Sequence, residues 1–255
     1  MSDGLVARLR APLAGDADLG EVLAGPWASL EAGALARRQV YLGGAGRATF
    51  GDLFDVTGRP DGRIQFSGDL SNANRLGAGL AEGEVVVEGS VGADVGIGMS
   101  GGAIDVQGNA GPRAGGAAPE ARRGMTGGEL VVRGSVGPEA GARMRRGLLV
   151  VGGDTGTHAG AGTIAGTIVV FGDTGVAAGL WSKRGSIVAL GAIAIPSTYA
   201  YACTYRPTHV RLLLGRLKRR YGIAVQDRYL AGAYRRFSGD LADLGKGEIL
   251  EWTAE

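Results

Sequence analysis

Val85-Val86-Val87-Glu88-Gly89-Ser90-Val91-Gly92-Ala93-Asp94-Val95-Gly96 and Leu148-Leu149-Val150-Val151-Gly152-Gly153-Asp154-Thr155-Gly156-Thr157-His158-Ala159-Gly160 are two copies of one phrase. In each, a short aliphatic run precedes G-x-x-G-x-x-x-G. The phrase recurs at Gly89/Gly92/Gly96, Gly108/Gly111/Gly115, Gly134/Gly137/Gly141, Gly153/Gly156/Gly160 and Gly172/Gly175/Gly179. The first glycines are spaced 19, 26, 19 and 19 residues apart. The long interval holds a seven-residue insertion inside Ala117–Met125, after which the phase returns. Gly68 and Gly191 mark weaker copies on either side. Periodicity on this scale decides the fold before any local motif is read.

A strand of three to five apolar residues followed by glycine-dense turns cannot bury its own face. Stacked copies can, each strand pairing with its equivalent one turn away at roughly 4.8 Å. Glycine serves corners that need positive φ, or places where no Cβ fits between turns. Without a period, 49 glycines in 255 residues would suggest low complexity; here they keep phase. The pattern predicts an all-β repeat, a right-handed parallel β-helix of six to seven coils, forming a rod roughly 30 Å long. Residues 64–195 form the coils, 1–63 a small N-terminal α/β cap, and 196–255 a helical cap on the other end. In the first coil Ser71 and Arg75 stand where glycine is expected. Thr163 and Ser182 stand where Met99, Met125 and Met144 recur, a series that fits gap-filling core.

The period also disarms two tempting motifs. Gly96–Gly101 spells G-x-G-x-x-G and Gly160–Ala165 its alanine-ended variant, but a dinucleotide site needs a helix next. Gly101 leads into another strand instead.

Outside the coils the signals are ordinary. Leu5–Leu9 alternates as a strand, Asp18 precedes a short helical turn, and Trp27–Leu42 offers a helix or strand pair. After Pro196, Tyr199, Tyr201 and Tyr205 make an aromatic-rich connection. Val210, Leu213, Leu214, Leu217 and Tyr221 then recur at helical spacing behind Pro207, and Gly222 is the stop signal. A second short helix is expected within Gln226–Phe237. The stretch Met1–Arg10 has no apolar core of the secretory kind, and no apolar run approaches 18 residues; the expectation is a cytoplasmic chain.

Charge is lopsided. Residues 1–106 carry 8 basic and 14 acidic side chains, 107–226 carry 15 and 5, and 227–255 carry 4 and 6, for a total of +2. Such asymmetry points to an acidic partner, or else to a solvated basic face. Arg122 and Arg123 lie in the insertion, which must bulge from one corner. Arg143, Arg145 and Arg146 share one turn, and Lys183 with Arg184 sits two turns later, so stacking is expected to place these charges above one another. Like charges stack at a cost, which favours an anion there.

Catalytic constellations are missing from the pattern. His158 falls in a slot otherwise held by Asp94, Arg113, Glu139 and Ala177, which suits a spacer. His209 lies far away in sequence. Cys203 is the one cysteine and is expected to be a buried thiol. Asp154 and Asp173 lack the calcium repeat, the basic segment is short of the stacked acids of a pectate-lyase-like face, and a period of 19 is not a multiple of the six that hexapeptide acyltransferases use. A basic-helix polyanion binder is weakened by the thin aromatic interleaving of Pro207–Tyr221.

The phrase [IV]-x-V-x-G-x-x-G-x-x-x-G-x-x-M-x-x-G, in Val85–Gly102 and Leu130–Gly147, resembles the glycine-repeat domain of the large glutamate synthase subunit and the glycine-repeat subunit (the C component) of formylmethanofuran dehydrogenase. Arg143–Val151, Ile164–Gly172 with Gly179-Leu180-Trp181, and the tail Arg235–Leu241 with Gly245–Leu250 favour the second, in its methylotroph form within the formyltransferase/hydrolase complex. The resemblance implies a non-catalytic scaffold subunit in one-carbon metabolism. Its partners would be a zinc-dependent amidohydrolase-like subunit, a formyltransferase subunit and a further subunit. That complex moves a formyl group from formyl-tetrahydromethanopterin to methylofuran and releases formate. Methylofuran carries a polyglutamate chain, so Arg122, Arg123, Arg143, Arg145, Arg146, Lys183 and Arg184 become the expected contacts for it. The alternative is a glutamate-synthase-like subunit serving a flavin and iron–sulfur amidotransferase.

Overall fold

The computed structural model describes residues 4–254, so Asp3, in the N-terminal stretch, lies outside them. Seven strands, Arg63–Ser67, Glu84–Val87, Ala103–Val106, Glu129–Val132, Leu148–Val151, Thr167–Val170 and Ser186–Ala189, pair in parallel and in sequence order. They form the centre of a 12-stranded mixed sheet. A second parallel ladder runs through Leu70, Val91, Ala110, Val136, Thr155, Thr174 and Ile193. Successive repeats are therefore bonded to each other at several points around the turn, which is how a segment too short for its own core acquires one. Ile64, Phe66, Val85, Val87, Ile104, Val106, Leu130, Val132, Leu149, Val151, Ile168 and Val170 point into that core and are buried. Met99, Met125 and Met144 are fully buried at a corner of it.

The first coil is longer than the period. Phe66 pairs with Val87 while the Arg75 N–H bonds Ala93, so two extra residues lie between Leu70 and Arg75. This corrects the expectation about Arg75: the glycine slot belongs to Gly77, and Arg75 falls beside Asp94 and Arg113 instead.

Both ends of the sheet are extended. At the N-terminal end Leu5–Leu9 pairs in parallel with Arg63–Ser67 and antiparallel with Phe54–Thr57. A separate four-stranded sheet holds Ala17–Asp18, and the expected turn follows it: the Val22 N–H bonds the Leu19 carbonyl and Asp18 Oδ1 accepts the Gly20 N–H. Phe50, Phe54 and Phe66 stack beneath it with ring centroids 4.5–5.9 Å apart.

At the C-terminal end the expected helical cap is corrected. The strand Gly247–Thr253 adds in parallel to Ser186–Ala189, and Ala233–Gly239 and Ala200–Tyr205 follow antiparallel. The second short helix expected within Gln226–Phe237 is only Asp227–Ala231, and Ala233–Gly239 is strand. The long helix Thr208–Tyr221 covers no end. It lies across the outer face of the sheet, where Val210, Leu214 and Leu217 bury Val131, Val150, Val169 and Val188. Four outward valines at 0–1% exposure give it an apolar seat, and each buried side chain contributes about 1.5–3 kcal/mol. The earlier coils present Gln65, Val86 and Asp105 at the same positions, all partly exposed, and the helix stops there. Glu129 fastens it, accepting from the Tyr221 hydroxyl and Arg216 with Arg220 at 3.6 Å. Arg133 bridges Asp105 and the Tyr221 carbonyl. Cys203, on the edge strand, is exposed rather than buried, because one face of that strand meets only solvent.

Candidate basic corner

Around each coil the backbone passes through left-handed conformations at fixed positions. One column is Gly79, Gly98, Arg143, Gly162 and Trp181, all at φ between 55° and 66°. Arg143 and Trp181 hold a conformation that L-residues adopt only at a cost. Arg143 is exposed, and its Nη1 donates to the Ala121 carbonyl at 2.7 Å, while its own carbonyl accepts the Gly124 N–H at 2.8 Å. The insertion is thus folded back onto the next coil. This brings exposed Arg122 and Arg123 beside Arg143, and the same turn continues into Arg145 and exposed Arg146. Glu120 is also exposed there.

The expected stack of charges is only partly realised. The Arg145 N–H bonds Met125, the Ile164 N–H bonds Met144, and the Lys183 N–H bonds Thr163. Arg145 and Lys183 therefore occupy one column with Ile164 between them, about 9.6 Å apart at strand spacing. Lys183 is paired with Asp243 at 3.5 Å. The seven cations form two groups, five at the insertion corner and Lys183 with Arg184 two coils on.

Other polar features explain themselves as structure. A second left-handed column, Arg75, Asp94, Arg113, Glu139 and His158, alternates in sign up to the histidine, with Arg113 bidentate on Asp94 at 2.7 and 2.8 Å. His158 belongs to this row. Asp154 and Asp173 belong to a corner ladder in which Ser90, Asn109, Ser135, Asp154 and Asp173 each accept a backbone N–H from the next coil at 2.8–3.0 Å. Burial pushes the Glu129 carboxyl up, but the Tyr221 hydroxyl, Arg216 and Arg220 outweigh it and leave the group below its ordinary range. Every group in that cluster is engaged in holding the helix. Among the described residues no three His, Cys, Asp or Glu side chains gather as a metal site, and no helix is long and apolar enough to cross a membrane.

Sequence reasoning did not find the fold-back that joins Arg143 to the insertion, nor the clamp at Glu129. A signal for where the helix packs was present: Leu148-Leu149-Val150-Val151 is apolar on both faces, as strands covered twice are.

A scan of the chain against protein-family models finds no match, and a search of curated proteins finds none. Among solved structures four chains match. One comes from the crystal structure of the formyltransferase/hydrolase complex (FhcABCD) of Methylorubrum extorquens with methylofuran. It is 33% identical, with a TM-score of 0.80, and the match covers 96% of this chain and 98% of that one. With that identity spread over nearly the full length of both, the chain belongs to the same family as that chain of the formyltransferase/hydrolase complex.

Proposed function

We propose that this protein is the C component of a formyltransferase/hydrolase complex, a non-catalytic scaffold whose coils form a right-handed parallel β-helix over 64–195, with 1–63 and 196–255 as its covers. The match to one chain of that complex over 96% of the length carries this reading. In it, formyl transfer from formyl-tetrahydromethanopterin to methylofuran and the release of formate take place on an amidohydrolase-like subunit and a formyltransferase subunit. The zinc is held by the former. The partly buried ion pairs at Glu129 and Asp94/Arg113 are committed to the chain's own fold, which suits a scaffold.

The basic corner is assigned to the anionic glutamyl chain of methylofuran. Arg122, Arg123, Arg143, Arg145 and Arg146 gather on one side of the rod, and Lys183 and Arg184 continue the path along it. Spaced cations about two coils apart match an extended polycarboxylate better than a single compact anion. Two measurements test this. Affinity capture of the chain from its own host, with mass spectrometry, is expected to bring an amidohydrolase-like and a formyltransferase subunit; recovery with a flavoprotein amidotransferase instead would defeat the assignment. Replacing Arg143, Arg145 and Arg146 by Gln is expected to weaken long-chain methylofuran about tenfold, as for three exposed ion pairs, and short-chain methylofuran far less. Equal effects on both would remove the glutamyl assignment.

A further inference from the structure

Trp181, Leu241 and Leu244 are 57%, 62% and 49% exposed, among the most exposed large apolar side chains of the described residues, and they share one corner. The Trp181 N–H donates to Asp240 Oδ2 at 2.8 Å. Asp240 is fully buried. Its other carboxylate oxygen accepts the Ala242 N–H, and its carbonyl accepts from Asp243 and Gly245. The Leu241 N–H bonds Thr198, and Asp243 pairs with Lys183. The loop bearing both leucines is thus fastened to the turn that bears the tryptophan.

Trp181 also occupies a left-handed position that Gly79, Gly98 and Gly162 fill in other coils. A bulky residue held there, more than half exposed, gives the monomer strain for little burial in return. Such strain is a feature of functional surfaces, and rigid aromatic and aliphatic anchors of this kind carry most of the energy of protein interfaces. The rim is cationic. Lys183 is matched by Asp243, but Arg184 and Lys246, both exposed, have no carboxylate within ion-pair range among the described residues.

We propose that this corner docks a partner protein chain whose contacting segment sets apolar side chains against Trp181, Leu241 and Leu244 and a carboxylate against Lys246. The inference rests on the reading that this chain works within an assembly. A second copy fits less well, since a two-fold contact lays the patch against itself and brings its unmatched cations together.

The test is capture of the assembly from the native host through a tag on this chain, comparing wild type with Trp181→Gly, with Leu241→Ser/Leu244→Ser, with Lys246→Glu, and with Val176→Ser as a control at another exposed apolar residue. Trp181→Gly separates a structural role from a docking role. Glycine relieves the backbone, so the isolated variant is expected to melt at or above the wild-type temperature, while one partner falls by about tenfold or more in the captured assembly. The double serine variant is expected to lose the same partner, and Lys246→Glu to hold it less well. Val176→Ser is expected to capture at the wild-type level. Folded Trp181 and leucine variants that retain every partner at the wild-type ratio overturn the inference while leaving the assembly intact. A purified wild-type chain that self-associates, with Trp181→Gly abolishing that, overturns the choice of partner. A wild-type chain that emerges alone overturns the assembly reading itself.

Discussion

Two columns of positions in the repeats share one backbone conformation and differ in everything else. Gly77, Gly96, Gly115, Gly141, Gly160 and Gly179 sit at φ of 62–75°, and Arg75, Asp94, Arg113, Glu139, His158 and Ala177 at 60–65°. The first column is glycine throughout and the second has none. Positive φ therefore does not by itself select glycine. Space does: a Cβ at Gly77 would lie 2.5 Å from Ile104 Cδ1, and at Gly141 2.7 Å from Ile168 Cδ1, both in the packed interior. In the second column the Cβ points outward, so the chain accepts the conformational cost and uses the positions for charge.

The largest expected effect lies in the inward column. Gly141→Ala combines φ of 65° with a Cβ 2.7 Å from Ile168 Cδ1 and 3.2 Å from Leu149 Cδ2, two side-chain ends that must shift within the core to admit it, and about 1–3 kcal/mol of stability should be lost, read from denaturant midpoints. A loss below about 0.5 kcal/mol would mean that the coils breathe enough to absorb a methyl group, unlike normally packed interiors.

Tyr199 closes the same column, its hydroxyl donating to the Gly179 carbonyl at 2.8 Å. Tyr199→Phe should cost about 1 kcal/mol at neutral pH for the lost bond. Burial pushes Tyr199 up to about 12 from the ordinary value of 10.0, and burial raises Tyr221 and Tyr234 as well. A folded value above the unfolded one means that the contribution is whole below pH 10.0 and is lost as pH rises through about 12. Wild type should lose stability over that interval, and Tyr199→Phe should lose less. Parallel pH curves for the two proteins would contradict this.

In the outward column effects should be small. Asp94→Asn breaks the partly buried pair with Arg113 and should cost at most about 1 kcal/mol, less at high salt. Glu139→Gly relieves the left-handed cost but frees the unfolded chain, leaving a gain between zero and about 1 kcal/mol in thermal or denaturant unfolding. A loss as large as that of Gly141→Ala would erase the distinction between the columns.

The coils were legible because their cause is local and repeated. Strand positions, anchor glycines and the insertion all follow from residues within one period, and a stack repeats the same neighbour contacts. The candidate site was legible as composition but not as geometry. That Arg122, Arg123 and Arg143 share a corner depends on Arg143 reaching Ala121, and that Lys183 is matched depends on Asp243, 60 residues on.

The sequence by itself determined the period, the faces of the strands and the segments where charge accumulates, since each depends on spacing along the chain. Tertiary structure alone decided where the helix Thr208–Tyr221 would lie, which strand would close the sheet, and which of Cys203, Trp181 and Leu241 would face solvent. These depend on which apolar surface remains uncovered once the coils have stacked: the outward valines took the helix, and no described part of this chain covers the corner of Trp181.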